Sequence, residues 1–376
     1  MSAEQAVDVD GLIDDRDTKV IVCCGSGGVG KTTTAAAIAV RAAERGRKTV
    51  VLTIDPARRL AQALGLAELG NHPRAVQIEG FDPKGELSAM MLDMRRTFDD
   101  MVLAHATKER ADEILANPFY QTISANFSGT QEYMAMEKLG QLAQTGQWDL
   151  IVVDTPPSRS ALDFLDAPQR LSTVLDGRVL KLLAGPARAG GSGLRKIVAG
   201  GFGIFAKAVS TIIGGQLLTD ASTFVQAFDS IFGGFRERAK KTYELLRSPG
   251  TAFLVVATPE PDALREATFF VERLATERMP LAGLVVNRTH PLLTELAQPR
   301  AIAAAEHLEE LGRAPLAAAV LRLHADRAAL AHKEERLLAR FAKAHPSIAT
   351  IGVPALAGDV HDLDGLREIG LRLVGV

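Results

Sequence analysis

A glycine-rich segment near the amino terminus constrains the fold of this chain more than any other feature. Residues 25–32 read Gly-Ser-Gly-Gly-Val-Gly-Lys-Thr, between an apolar run that predicts a strand (19–24) and an alanine-rich run that predicts a helix (about 30–45). A helix that begins after glycines presents backbone N–H groups and the positive end of its dipole to an anion. The complete G-x-x-x-x-G-K-T pattern in this context predicts a phosphate loop, and its alternative is a tight glycine turn.

The loop predicts a nucleotide site for Mg²⁺ and ATP. In such loops the lysine reaches the terminal phosphates and the hydroxyl that follows it ligates Mg²⁺, so Lys31 is a predicted catalytic residue and Thr32 a predicted metal ligand. The full set of loop residues predicted to bind the cofactor is Gly27, Gly28, Val29, Gly30, Lys31, Thr32 and Thr33.

Two aspartates follow other predicted strands. Asp154 closes an Ile-Val-Val-Asp strand and is predicted to hold Mg²⁺, whereas Asp55 follows the strand at 49–54 and is predicted to orient the attacking water. Each aspartate also has a structural alternative, a strand-end cap or an Asx turn before proline. Because the carboxyl ends of parallel strands share one edge of a sheet, we expect both aspartates beside the phosphate loop.

Short apolar runs separated by helical patterns define the fold class. Such alternation predicts a doubly wound, mostly parallel α/β sheet of the P-loop NTPase type. We expect a flexible acidic tail at 1–17 and a single ATPase domain at 18–376, with helical insertions at about 93–147 and 162–246. The predicted strands are 19–24, 49–54, 150–153, 252–257, 281–286 and 348–353.

Charge and cysteine content exclude several function classes. The chain of 376 residues has 43 basic and 45 acidic side chains, which gives no field that favours nucleic acid as a partner. Its two cysteines, Cys23 and Cys24, are adjacent, so they form neither a disulfide framework nor a CxxC zinc pair. Cysteine usage of this kind indicates the cytoplasm.

The segment 197–218 is the most apolar in the chain. Lys207 near its centre and its five glycines argue against a transmembrane span. Three interpretations stay open: a buried helix pair, a contact with a partner subunit, or a groove for an apolar helical client. A peripheral membrane contact also stays open.

Several motifs together resemble one family, the arsenite-pump and tail-anchored-protein-targeting (guided entry) ATPases, a deviant-Walker P-loop class. Residues 27–33, 53–57 and 154–157 are similar to its phosphate loop, switch I and switch II, and 258–261, 285–287 and 353–359 to its later motifs. The resemblance implies that Asn287 and Pro354 contact adenine. It also implies a dimer that couples nucleotide state, through the switches, to a helical client-binding region.

One residue departs from the family pattern. Ser26 stands where the family usually has a lysine that reaches the partner subunit's phosphates, so we identify the chain as a bacterial member without this signature lysine. Loss of such a cation lowers the hydrolysis rate, and weak activity of the isolated protein is expected. Two explanations stay open: heteromeric pairing with a lysine-bearing relative, or a regulatory nucleotide-binding subunit.

Other readings of the phosphate loop make different demands. An arsenite-pump subunit needs accessible cysteine thiolates, and Cys23 and Cys24 are predicted to be buried strand residues. A partition ATPase usually has a basic surface or a terminal amphipathic helix, and neither is evident in this sequence. A scaffold with bound nucleotide is the non-enzymatic alternative.

Overall fold

The structure is a computed structural model that describes residues 6–55, 59–77, 85–118, 120–121, 130–156, 234 and 237–375. The chain divides into two compact units. The first comprises Met1–Met91, Gly146–Leu162 and Leu246–Val376, and the second comprises Leu92–Thr145 and Asp163–Leu245.

An eight-stranded sheet forms the centre of the first unit. Its strands are β1 Val20–Cys24, β2 Lys48–Thr53, β3 Arg74–Ala75, β4 Glu86–Met91, β5 Leu150–Asp154, β6 Thr251–Ala257, β7 Leu281–Thr289 and β8 Thr350–Pro354. Their order is β3-β4-β2-β5-β1-β6-β7-β8, and every neighbouring pair is parallel except β3 and β4. This arrangement confirms the predicted fold class.

Ten helices have defined limits in the described part of the chain. In the first unit they are α1 Val9–Asp14, α2 Lys31–Glu44, α3 Arg59–Ala63, α7 Pro261–Thr276, α8 Gln298–Glu310, α9 Pro315–Ala344 and α10 Leu363–Arg372. In the second unit they are α4 Met94–His105, α5 Lys108–Ala116 and α6 Thr130–Gln144.

Continuous apolar sequence produces the central strands. All five residues of β1, Val-Ile-Val-Cys-Cys, are buried between β5 and β6, and every residue of β5 is buried as well. A strand covered on both faces needs no polar alternation, so these strands read as unbroken apolar runs. They end at one edge, where the loops that follow β1, β2 and β5 meet.

Strands β3 and β4 were not predicted from the sequence. Strand β4 reads Glu-Leu-Ser-Ala-Met-Met, and it pairs in parallel with β2 over Lys48–Thr53. Alanine and methionine favour helices intrinsically, so the local pattern resembled the helical region that follows. Pairing with β2 and burial of Met90 override that preference.

The prediction of a flexible acidic tail at 1–17 is wrong for the described residues 6–17. Helix α1 lies there, and its Val9 and Ile13 are buried. Arg41 of α2 binds Asp10 through two hydrogen bonds of 2.5 and 2.7 Å. The acidic residues of the segment therefore serve as partners for α2 rather than as a solvated charge run.

Arg47 provides the other anchor of the amino-terminal segment. Its guanidinium is buried, and it donates to the carbonyl oxygens of Ile13 at 2.8 Å and Thr18 at 2.6 Å. It also donates to the carbonyl oxygens of Asp15 and Asp149. A buried cation is tolerated here because backbone oxygens replace the water that it loses.

The second unit is helical in its described part. Helices α4 and α6 are in contact, and the buried carboxylate of Glu137 accepts hydrogen bonds at 3.0 Å from Arg238, which lies in a helical stretch at 237–247. Most of the predicted insertion at 162–246, including 197–218, lies outside the described residues. Within the described ranges, no helix is both long enough and apolar enough to cross a bilayer.

Candidate functional site

Three glycines with positive φ shape the loop between β1 and α2. Gly25, Gly28 and Gly30 have φ of 151°, 78° and 95°. A Cβ atom on Gly25 would lie 2.1 Å from the carbonyl oxygen of Val256, and one on Gly30 would lie 2.1 Å from Nδ2 of Asn287. The loop is therefore held between the ends of β6 and β7, and only glycine fits at these two positions.

Lys31 is the first residue of α2 and places a cation within the loop. Its Nζ donates to the carbonyl oxygen of Ser26 at 2.8 Å, and the residue is buried. Burial lowers the pKa of Lys31, whereas the negative charges of Asp154 and Asp55 raise it. Both predicted acidic residues therefore act electrostatically on the lysine.

Thr32 and Asp154 meet although 122 residues separate them. The Thr32 hydroxyl donates to Oδ2 of Asp154 at 2.7 Å, and the Thr53 hydroxyl donates to the same oxygen at 2.9 Å. Burial raises the pKa of Asp154 to about 6, and hydrogen bonds from Thr32 and Thr53 oppose this rise. The ionised carboxylate of Asp154 is therefore poorly solvated.

The second carboxylate oxygen of Asp154 is the observation that tests the predicted metal role. Oδ1 is buried and has no hydrogen-bond partner among the residues that the structure describes. Mg²⁺ prefers oxygen ligands, and a carboxylate beside a threonine hydroxyl supplies two of them. The residues present fit the ion, with Thr32 and Asp154 as the residues that would hold it.

Asp55 and Thr155 lie in the segments that follow β2 and β5. The Asp55 N–H donates to the Thr53 hydroxyl at 3.2 Å, and its charge raises the pKa of Asp154. Thr155 is buried, and its hydroxyl donates to the carbonyl oxygen of Cys23 at 2.9 Å. Residues 56–58 and 157–160, which include the remainder of both switch motifs, lie outside the described ranges.

Asn287 and Pro354 occupy different surroundings. Nδ2 of the buried Asn287 donates to the carbonyl oxygen of Val29 at 2.9 Å, which places Asn287 against the phosphate loop. Pro354 ends β8, and its carbonyl oxygen accepts a hydrogen bond from Arg372 at 3.0 Å. Their adenine contacts stay predictions, as do the nucleotide contacts of Gly27 and Thr33.

The sequence pattern does not indicate the role of two residues beside the loop. Thr53 belongs to the segment similar to switch I, and its hydroxyl at a strand end, two residues before an aspartate, is a usable signal for a second donor. Arg288 has φ of 60°, and its Nη1 lies 3.4 Å from the Gly28 carbonyl oxygen. No local pattern signals this conformation of Arg288.

The cysteines are inert in this structure. Cys23 and Cys24 are fully buried in β1 and free. Burial raises the pKa of the Cys24 thiol to about 12 and raises that of Cys23 well above its ordinary value. Neither thiol offers the thiolate that a metalloid site requires.

Comparisons with known proteins identify one family and several relatives to which this chain is similar. The profile of a family described as anion-transporting ATPase matches residues 18–309. An ATPase GET3 from Malassezia globosa is 32% identical over 164 residues, which cover 44% of this chain and 46% of that protein. An ATPase get3 from Neurospora crassa is 26% identical over 280 residues, with 74% and 75% covered. An ATPase GET3 from Rhodotorula glutinis is 28% identical over 278 residues, with 74% and 72% covered.

Proposed function

Because this chain belongs to the anion-transporting ATPase family, we propose that it binds ATP in the loop at 25–32 and hydrolyses it with Mg²⁺. The family match and the GET3 relatives confirm the resemblance of this chain to the arsenite-pump and tail-anchored-targeting ATPases. The bacterial source of the chain stays a prediction.

One observation carries the proposal. The strands β1, β2 and β5 are adjacent in the sheet. Their carboxyl ends bring together a buried ammonium, a threonine hydroxyl and a carboxylate, one of whose oxygens has no hydrogen-bond partner within the described ranges. These groups belong to Lys31, Thr32 and Asp154. A tight glycine turn, the structural alternative for the loop, gives no reason for a carboxylate to be buried beside it.

The residues of the site have separate tasks in the proposed reaction. The N–H groups of the loop and Lys31 bind the phosphate chain. Thr32 and Asp154 would hold Mg²⁺, which would supply positive charge to the phosphates. Asp55 orients the attacking water toward the terminal phosphate. Lys31 stabilises the negative charge that develops in the transition state.

The same hydrogen bonds provide a route for coupling. Oδ2 of Asp154 accepts from Thr32 of the loop and from Thr53, two residues before Asp55. Loss of the terminal phosphate would change the position of Asp55 and of the segment after Asp154. We propose that this change reaches the helical second unit and regulates an apolar helical client.

The setting of this activity is part of the proposal. We propose a cytoplasmic dimer, as the family resemblance implies, with peripheral membrane contact left open for residues 197–218. No observation on the described residues favours heteromeric pairing or a regulatory subunit that depends on a paralogue. Burial of both cysteines argues against a thiolate-based metalloid pump.

ATP turnover by purified variants tests the proposal. We expect Lys31→Ala to lower Mg²⁺-dependent phosphate release by at least about a hundredfold, since it removes a preorganised cation. Lys48→Ala is the matched control, because Lys48 begins β2 at the opposite end of the strand and pairs with Glu86 on the surface. It should retain the wild-type rate.

Two results would contradict the proposal. Equal release by wild type and Lys31→Ala would show that the loop does not catalyse hydrolysis. Nucleotide binding by wild type without any turnover would instead support the regulatory subunit.

A further inference from the structure

Arg288 has a backbone conformation that side chains rarely adopt. Its φ of 60° places it in the left-handed region, with Arg278 and Ala314 as the other non-glycine residues of this kind in the described ranges. The position is also a bulge, because Asn287 pairs with Val353 and Thr289 with Pro354, and the register between β7 and β8 shifts at this point. Bulges beside active sites commonly redirect one side chain.

The side chain of Asn287, the residue before Arg288, ties this bulge to the phosphate loop. Asn287 accepts the Arg288 N–H at 3.0 Å and donates to the Val29 carbonyl oxygen at 2.9 Å. The absence of a Cβ atom on Gly30 is what lets the Asn287 side chain come this close. The strained residue is therefore held at a fixed place relative to the loop.

The guanidinium that this backbone positions is exposed. Nη1 lies 3.4 Å from the Gly28 carbonyl oxygen, which is at the limit of a hydrogen bond. Arg288 forms no ion pair with a carboxylate in the parts of the chain that the structure describes. Lys31 is the only charged side chain of the loop itself, so Arg288 adds a second positive charge beside it.

We propose that Arg288 is a phosphate-binding residue, whose guanidinium contacts the phosphate chain of the nucleotide held by the loop of the same subunit. This inference rests on the proposed function. A guanidinium stays charged at all physiological pH values and binds phosphate oxygens in pairs, so it suits an anionic ligand. Backbone strain kept at a functional site is justified by the side chain that it positions.

Glycine substitutions separate the side chain from the backbone. Arg288→Gly removes the guanidinium and also relieves the positive φ, so a loss of binding cannot come from added strain. Arg278→Gly is the matched control, because Arg278 is an exposed arginine with φ of 55° in the turn between α7 and β7, at the opposite end of the sheet. Both variants should melt at or above the wild-type temperature.

Calorimetry with Mg·ATP, Mg·ADP and adenosine, at low and high salt, measures the effect. For Arg288→Gly we expect a dissociation constant for Mg·ATP about tenfold higher than wild type, because one charge-assisted contact is lost. The loss should shrink at high salt and be absent for adenosine, and Arg288→Lys should recover part of the affinity. Arg278→Gly should bind like wild type.

Three results would overturn the inference. Binding of Mg·ATP by Arg288→Gly within twofold of wild type would show that the guanidinium does not contact phosphate. An equal loss for adenosine would assign Arg288 to the base or to loop structure, and an equal loss in Arg278→Gly would show a general effect. Failure of wild type itself to bind Mg·ATP would refute the proposed function, and this inference with it.

Discussion

Replacing Asp154 by asparagine should stabilise the fold while it destroys the metal site. Asp154 is buried, and burial raises its pKa from 3.8 to about 6. A shift of this size corresponds to about 3 kcal/mol between the protonated and ionised forms. Asparagine keeps the shape and an oxygen for the Thr32 and Thr53 hydroxyls, and it removes the buried charge.

The pH dependence follows from the direction of the shift. The unfolded chain releases the Asp154 proton near pH 4, whereas the folded chain keeps it until about pH 6, so wild type loses stability as pH rises through this window. Above about pH 7 the Asn variant should therefore exceed wild type in unfolding free energy by about 3 kcal/mol. Below about pH 4 the difference should vanish.

Urea unfolding in buffer with a metal chelator, at several pH values from 4 to 8, measures this difference. Asp112→Asn is the control, because Asp112 is exposed on α5, and the unfolding free energy of this variant should stay close to that of wild type. In a parallel series without chelator, Mg·ATP should stabilise wild type more than Asp154→Asn, which keeps the loop and Lys31 but lacks the carboxylate for the metal. A variant no more stable than wild type at pH 8 would refute the argument from the buried charge.

Three further predictions use other parts of the structure. Arg47→Met should lower the unfolding free energy measured by urea titration by about 3 kcal/mol, because buried carbonyl oxygens lose their donor. Arg16→Met, at an exposed arginine, is the control and should change the unfolding free energy by less than about 0.5 kcal/mol. Gly25→Ala should lower the melting temperature far more than Gly28→Ala, since both need positive φ but only a Cβ on Gly25 meets backbone. The Cys24 thiol, whose pKa burial raises to about 12, should react with a thiol reagent only after denaturation, as absorbance would show.

The parts of the fold that rest on unbroken apolar runs could be predicted from the sequence. Strands β1, β5 and β6 are buried along their whole length, so composition alone marks them. Strand β4 could not be recognised, because its Ala-Met-Met sequence favours a helix and becomes a strand only through pairing with β2. The prediction of a flexible amino-terminal tail failed for a similar reason. Asp10 binds Arg41 of α2, which is 31 residues away in the sequence, and no local pattern reveals that contact.

The sequence motifs indicated which residues to consider for the site, but not their geometry. Glycine spacing identified the loop and Lys31, because the required backbone conformation restricts the residue types. The distance between Thr32 and Asp154 needed the order of the strands, in which β5 lies next to β1. The conformation of Arg288 comes from a bulge between β7 and β8. The identity of the residue, an arginine, does not predict this conformation.

The two carboxylate oxygens of Asp154 can serve different purposes, metal binding and control of the backbone around the site. One of its oxygens accepts hydrogen bonds from Thr32 and Thr53, while the other is buried with no partner in the described part of the chain. A cation at the second oxygen would offset the negative charge that burial makes unfavourable. Binding of the cation would therefore also remove an unfavourable contribution to the stability of the fold. Because the first oxygen holds the loop and the end of β2 together, that same event would act on both switch segments at once. The position of Asp154 therefore couples metal binding to backbone conformation more directly than a carboxylate exposed to solvent could.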